Sequence, residues 1–208
     1  LGIPHVGENI FENIDTPALM ECALVSKTWQ TLAYNVLLKR WKGKLIQACE
    51  SGYVVVVRLL LENLESTELN TRNSNGKTAF MTACINGHKS VVNLILDHAL
   101  YRNIHLNARC RSGLTAFMEA CKSGRTEVVK LILDHSNRNI DLNARDENGL
   151  TAFMNACRSE YNRSGHIDVV KLLLDRSSDR NIDLNARNGI GRTGFSMACG
   201  NLYNIDAV

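Results

Sequence analysis

The chain has 208 residues, of which 45% are hydrophobic and 22% charged, with a formal net charge of +3. This balance is that of an ordinary globular protein, and it excludes a disordered tail, a collagen-like rod and a small disulfide-stapled scaffold. The longest apolar runs fall short of the roughly 20 residues that a membrane span needs, and the small positive charge does not by itself predict nucleic-acid binding.

The first segment, residues 1–42, holds both tryptophans and both prolines of the chain and repeats nowhere else. Ile10, Phe11 and Ile14 make one helical stripe, and Pro17 suits the first turn of a second helix. Apolar residues continue the helical pattern to the end of the segment. At about 40 residues this unit is too small to be stable alone, so we expect it to pack on a partner or on the rest of the chain.

The remainder of the chain repeats itself. The phrase Thr-Ala-Phe-Met-x-Ala-Cys begins at Thr78, Thr115 and Thr151, and a variant of it begins at Thr193. The cysteines that end these phrases, together with Cys49 of a degenerate first copy, are separated by 35 to 42 residues. Steps of this length indicate a solenoid, in which each unit buries its apolar faces against its neighbours.

Each unit predicts two helices joined by a short turn. Phe80, Ala83 and Cys84 lie on one helical face, and Thr78 stands where an N-cap would begin that helix. Gly87 falls in the turn that ends it, and an apolar second helix follows. A Leu-Asn-x-Arg turn with a later glycine precedes each phrase and predicts a projecting hairpin. The arginines of this turn are Arg72, Arg109, Arg145 and Arg187.

These repeated residues resemble the ankyrin repeat. The phrase stands where that family has Thr-Pro-Leu-His-x-Ala-Ala, and Val91 to Leu96 stands where it has Val-Val-x-Leu-Leu-Leu. The proline of the family is alanine here and its histidine is methionine, so we expect apolar packing in place of the usual threonine–histidine hydrogen bond. The resemblance implies an all-α ankyrin-repeat helical solenoid with short hairpin loops, with about five repeats over 44–208, the first degenerate and the last truncated.

An insertion of about five residues, 160–164, separates the two helices of the fourth unit. In a stack of helix pairs such an insertion must bulge outward as a loop. It is either a tolerated surface insertion or a finger that binds a partner. The residues themselves leave both interpretations open.

The seven cysteines are predicted to be free, and five of them close successive phrases. Neighbouring packed helices lie roughly 8–10 Å apart, whereas a disulfide needs Cα atoms within about 7 Å, so equivalent cysteines should not pair. No paired spacing typical of a metal site occurs, and we expect neither a metal nor a cofactor. Free thiols in this number favour a reducing compartment, the cytoplasm or the nucleus.

The N-terminal segment resembles an F-box. Leu24 to Trp29 matches the Val-Ser/Cys-Lys/Arg-x-Trp core of that family, Ile3-Pro4 its Leu-Pro start and Leu32 to Leu38 its tail. Two departures are a spacing one residue short before Ile10 and a lysine in place of the tryptophan that usually follows the tail. The alternative is a helical segment that caps the stack. The resemblance implies an F-box-like helical domain over 1–42, preceding the repeats.

The junction between the two parts contains one glycine and no flexible Gly/Ser or Pro-rich linker. Leu37, Leu38 and Trp41 lie close enough in sequence to pack on Leu45 and Ile46. We therefore predict that the N-terminal unit and the stack form one rigid body.

The combination resembles the F-box substrate receptors of cullin-RING ubiquitin ligases. That resemblance implies a non-enzymatic adaptor, whose F-box binds the Skp adaptor and through it the cullin scaffold, and whose ankyrin stack binds an unknown substrate protein. A plain ankyrin scaffold with a helical N-terminal cap is the alternative. No membrane partner is expected, and nucleic acid is not favoured because acidic residues interrupt the row of arginines. The implied adaptor-binding residues are Pro4, Ile10, Phe11, Leu19, Val25, Trp29 and Leu38.

Residues that vary between units while their scaffold repeats are the candidates for contact with a substrate. They are expected at the hairpin tips and on the exposed side of each first helix. The row of arginines is either a basic ladder for an acidic partner or a structural part of each hairpin. The candidate partner-binding residues are Arg72, Asn73, Asn75, Thr82, Arg109, Arg111, Glu119, Lys122, Arg145, Asp146, Glu147, Asn155 and Arg158.

Overall fold

The computed structural model describes residues 11–135, 139–158 and 164–199. Within these ranges the protein is all-helical, with twelve helices and no strand. After two N-terminal helices, helix pairs pack on one another in chain order, and a hydrogen-bonded hairpin turn precedes most pairs. The helices are α1 (Thr16–Cys22), α2 (Lys27–Trp41), α3 (Leu45–Ser51), α4 (Val54–Asn63), α5 (Ser66–Leu69), α6 (Ala79–Asn86), α7 (Lys89–His98), α8 (Ala116–Lys122), α9 (Thr126–Asp134), α10 (Ala152–Cys157), α11 (Ser164–Asp175) and α12 (Gly194–Cys199).

The N-terminal unit is formed by α1 and α2, which pack against each other. Asp15 caps α1, because its Oδ1 accepts a hydrogen bond from the backbone N–H of Ala18 at 2.9 Å. Pro17 occupies the first turn of α1, where its missing N–H is not needed, as the sequence predicts. Ser26 caps α2 by accepting from the backbone N–H of Trp29 at 3.3 Å.

A buried threonine begins the first helix of each central repeat. Thr78, Thr115 and Thr151 each accept a hydrogen bond, at 3.3 Å, from the backbone N–H of the residue three places on. That residue is a methionine in every case, and its side chain is at most 1% exposed. The predicted N-caps are therefore confirmed, and so is the apolar packing at the methionine position.

The cysteines that close the phrases form a buried column in the stack. Cys49, Cys84 and Cys121 are 0% exposed and Cys157 is 8% exposed, and all seven cysteines are free. Burial raises the pKa of the Cys49 thiol to about 12 and holds the pKa of Cys84 well above its usual range. These thiols are thus neutral small hydrophobes at physiological pH, as the sequence predicts.

One hydrophobic core runs from the N-terminal unit into the stack. Helix α2 packs against α4, and the rings of Trp41 and Tyr53 meet edge to face with centroids 5.6 Å apart. The indole Nε1 of Trp41 also donates a hydrogen bond to Thr16 Oγ1 at 3.2 Å. Trp41 therefore joins α1, α2 and the first repeat. The N-terminal unit thus packs on the first repeat through α4 and Tyr53. The expected packing of Leu37, Leu38 and Trp41 on Leu45 and Ile46 stays a prediction, as does the division of the chain into domains at 42–44.

The insertion of the fourth unit lies outside the described residues except for Ser164, which begins α11. Helices α10 and α11 on its two sides pack against each other. After the insertion, Nε2 of His166 lies 2.9 Å from the carbonyl oxygen of Lys122, as Nε2 of His88 lies 2.8 Å from that of Glu50 in an earlier unit. The repeat register is therefore regained by His166, and the role of the insertion stays open.

Candidate protein-interaction surfaces

Three large apolar side chains are exposed where α1 turns into α2. Leu24 is 81% exposed, Val25 72% and Trp29 48%. Backbone hydrogen bonds hold the turn, from the N–H of Val25 to the carbonyl of Cys22 at 3.2 Å. The Trp29 ring packs edge to face against Phe11 with centroids 5.5 Å apart, and this contact supports the Trp29 side chain. Leu24, Val25 and Trp29 form what is called here the Trp29 patch.

The other residues implied for adaptor binding lie at different depths. Phe11 is 3% exposed and Leu19 is 0% exposed, because both belong to the hydrophobic core. Phe11 supports the patch through its contact with the Trp29 ring, and the implied part of Phe11 and Leu19 in adaptor binding stays a prediction. Leu38 is half-buried against the same core, and Pro4 and Ile10 lie outside the described residues.

The row of arginines ties each hairpin to the next. The Nη1 group donates to the carbonyl of the hairpin glycine four residues on, at 3.0 to 3.4 Å, and to the backbone carbonyl of the equivalent arginine one repeat later. Of the two roles that the sequence leaves open, the structural one is therefore present. Arg72, Arg109 and Arg145 make both bonds, and Arg187 bonds the glycine of its own hairpin.

The asparagine two residues before each of Arg72, Arg109 and Arg145 makes a second clamp in addition to its predicted place in the turn. Its Nδ2 donates to a carbonyl of the next repeat and its Oδ1 accepts from a backbone N–H there, at 2.6 to 2.9 Å. The signal for this role was its recurrence at a fixed distance from the arginine. The three clamps are Asn70 on Asn103 and His105, Asn107 on Asn139 and Asp141, and Asn143 on Asn181 and Asp183.

Successive hairpins approach each other backbone to backbone. Gly113 has a φ of +76°, and a Cβ at this position would lie 2.8 Å from the backbone nitrogen of Glu147. A Cβ added at Gly149 would lie 2.9 Å from the backbone nitrogen of Gly189. Only glycine can both adopt the left-handed conformation and allow the backbones to come this close. The hairpins therefore form a continuous edge along the stack.

The variable position of the first helices is buried, which corrects the expectation that it faces a partner. Thr82 is 7% exposed, Glu119 5% and Asn155 1%. The cause is that first helices of successive repeats pack directly on each other. Thr82 and Asn155 donate to the carbonyls of the capping threonines at 3.0 and 3.1 Å, and Glu119 pairs with Lys77 at 3.0 Å. The polar groups of these three side chains therefore find their partners inside the stack.

The hairpin tips are at the surface, as expected. Asn73, Asn75, Arg111 and Glu147 are exposed, and Asp146 is half-buried. Two of them also hold their own turns: Asn73 Oδ1 accepts from the N–H groups of Asn75 and Lys77 at 3.0 Å, and Asp146 Oδ1 makes the same pair of bonds at 2.9 Å. Lys122, the last residue of α8, and Arg158, which directly follows α10, are half-buried.

Within residues 11–135, 139–158 and 164–199, no helix is both long and apolar enough to cross a lipid bilayer. No group of three or more His, Cys, Asp or Glu side chains in those ranges is arranged to hold a metal ion.

Comparison with protein-family models finds two matches. The model of ankyrin repeats, in three copies, matches residues 32–110 and 98–188, and the model of the F-box domain matches residues 4–41. The two models overlap within α2, the helix whose end carries Trp41. A search of curated proteins finds no match.

Proposed function

Because the chain belongs to the ankyrin-repeat family and carries an F-box domain, we propose that it is the substrate receptor of an SCF-type ubiquitin ligase. Both modules mediate protein interaction, so the chain is a protein-interaction adaptor. In the proposed complex the F-box binds the Skp adaptor and thereby the cullin scaffold, and the ankyrin stack binds a substrate protein. The chain itself then carries out no chemistry, needs no cofactor and acts in the cytoplasm or the nucleus.

The observation that supports this proposal is the exposure of the Trp29 patch. Interface centres are enriched in aromatic and apolar side chains that are uncovered in the free protein. Val25 and Trp29 are the residues that the F-box resemblance implies for adaptor binding, and their exposure of 72% and 48% leaves them available to a partner. Their covering by the Skp adaptor would remove the patch from water.

Adaptor binding is tested with the double variant Val25→Ala, Trp29→Ala. We expect the affinity for the Skp adaptor to fall by about thirtyfold or more, since truncating a tryptophan at an interface centre typically costs at least about 2 kcal/mol. The measurement is titration of the purified chain with labelled adaptor. The matched control is Leu100→Ala, Tyr101→Ala, which removes another exposed apolar pair, 64% and 68% exposed, far along the chain.

The ankyrin helices should keep their circular dichroism in both variants. A folded Val25→Ala, Trp29→Ala chain that binds the adaptor as tightly as the wild type would contradict the proposal. So would an equal loss in the control variant.

A plain ankyrin scaffold with a helical cap is the second candidate function. The observation that favours it is the shared core of α2 and the first repeat, since covering the end of a stack is what a cap does. Capture of the Skp adaptor separates the two functions. A wild-type chain that is folded and captures no adaptor would support the scaffold and exclude the ligase role.

A further inference from the structure

The hairpin edge of the stack carries more positive charge than the whole molecule. The hairpin strip is defined as residues 72–77, 109–114, 145–150 and 187–192. It contains seven Arg and Lys side chains and two carboxylates, a formal charge of +5. Lys77 is paired with Glu119, which lies outside the strip; with that pair counted as neutral the strip still carries +4, against +3 for the entire chain. A concentration of one sign along one edge attracts a partner of the opposite sign.

The arginines of the strip keep a free binding edge even though they hold the hairpins together. Arg72, Arg109 and Arg145 use Nη1 for both of their carbonyl bonds. A guanidinium has five N–H donors, so Nε and Nη2 remain, and together they form an edge that takes a carboxylate through two hydrogen bonds. All three side chains are exposed, and none forms an ion pair with another described residue.

The carbonyl bonds also fix these guanidinium groups in place. An arginine that is already ordered loses little conformational freedom when a carboxylate binds, so the clamp prepares the site for an anion. The strip therefore presents a row of positioned cations one repeat apart, about 8–10 Å, the usual separation of packed helices.

This spacing matches an extended acidic polypeptide. A polyproline II helix has three residues per turn and rises about 9 Å per turn, so carboxylates at every third residue form a row with nearly the spacing of the strip. We infer that the hairpin strip binds an extended acidic protein segment with Asp or Glu at about every third position. This inference rests on the proposed function in that it names the class of substrate that the stack holds.

A protein segment is favoured over nucleic acid by the residues of the strip. It contains no Phe, Tyr or Trp on which a base could stack. Asp146 and Glu147 would repel a continuous phosphate backbone at the third hairpin, whereas an acidic residue placed only at every third position can avoid them.

The test is fluorescence anisotropy with a labelled peptide of about five Glu-Pro-Pro triplets, compared with the matched Gln-Pro-Pro peptide. We expect the acidic peptide to bind and its affinity to fall as salt is added. The variant Arg111→Ser, Arg192→Gln removes two strip charges without touching a clamp and should weaken binding by about tenfold or more. Arg109→Lys keeps the charge but removes the two-bond edge, together with the carbonyl bonds that hold the guanidinium in place, and should also weaken binding.

The matched control is Arg58→Gln, Lys130→Gln, which removes two exposed charges from α4 and α9 and should leave binding unchanged. The inference would be overturned by equal binding of the acidic and neutral peptides, by equal losses in the strip and control variants, or by tighter binding of a single-stranded DNA of similar length. Adaptor binding is measured on the same proteins. If only the peptide assay fails, the proposal for the hairpin strip is rejected and the proposal that the F-box binds the Skp adaptor stands. If only adaptor binding fails, the F-box proposal is rejected and peptide binding by the hairpin strip stands.

Discussion

Many single residues in this protein contribute to stability through their contacts with the neighbouring repeat. The column of cysteines is the simplest case, since each thiol is packed between first helices and burial raises its pKa, to about 12 for Cys49. A thiol that stays neutral acts as a small apolar side chain. Polar residues at the same depth, such as Thr82, need a specific partner, and Thr82 finds one in the carbonyl of Thr78 at 3.0 Å.

Replacing Cys121 by serine puts a more strongly hydrated hydroxyl into this apolar column. We expect Cys121→Ser to lower the free energy of unfolding by about 1–3 kcal/mol, because a buried hydroxyl without a partner loses its bonds to water. Urea denaturation gives the value. Cys199→Ser is the control, since Cys199 is exposed, and it should change stability by less than about 0.5 kcal/mol. A wild-type melting temperature that drops in reductant would show instead that the cysteines pair.

At the scale of elements, each repeat is bound to the next through its turn as well as through its helices. The Asn and Arg of the Leu-Asn-x-Arg turn reach backbone groups one repeat away, and the hairpin glycines let the turns stack. Because the partners of the Asn and Arg side chains are backbone groups, these hydrogen bonds do not depend on which side chains the next turn carries. The tips can therefore vary in sequence while the stack stays regular.

The asparagine clamp is tested by Asn107→Ala. This change removes two hydrogen bonds, of 2.6 and 2.9 Å, to the next repeat, and we expect a loss of about 1–3 kcal/mol of stability. Asn185→Ala is the matched control, because Asn185 holds the equivalent place and its side chain makes no hydrogen bond to another described residue. Thermal unfolding by circular dichroism compares the two. Equal and small effects would mean that the clamp does not contribute to stability.

At the scale of the whole molecule, the F-box unit and the stack share one core, which passes through the contact of Trp41 with Tyr53. An isolated unit of about 40 residues buries too little surface to be stable, and packing on the first repeat supplies the missing burial. The proposed two ends of the receptor, the Trp29 patch and the hairpin strip, are thus parts of one continuous body.

Inserting about ten Gly/Ser residues after Lys42 tests whether this continuity matters for transfer of ubiquitin. We expect adaptor binding and substrate binding each to persist, and the rate of ubiquitin transfer in a reconstituted ligase to fall, because the substrate lysine is held within reach for less of the time. Full-rate transfer with the insertion in place would refute the rigid-arm prediction.

Features that depend on residues near one another in the chain can be predicted from the sequence alone. The capping role of Thr78, the first-turn proline at position 17 and the helix pairs all follow from local rules of spacing and backbone hydrogen bonding. The period and the two families followed from the recurring phrases and from the Leu24 to Trp29 motif.

Which side chains face a neighbour and which face water depends on how the units pack. Glu119 is buried because first helices pack on both sides, and Leu19 is buried in the core whereas Val25 of the same unit is 72% exposed. The partners of the Asn and Arg clamps lie 32 to 42 residues away in sequence, so no local pattern identifies them. These features escape local rules because a solenoid buries each unit against the next, and burial at a repeat interface is set by packing between units.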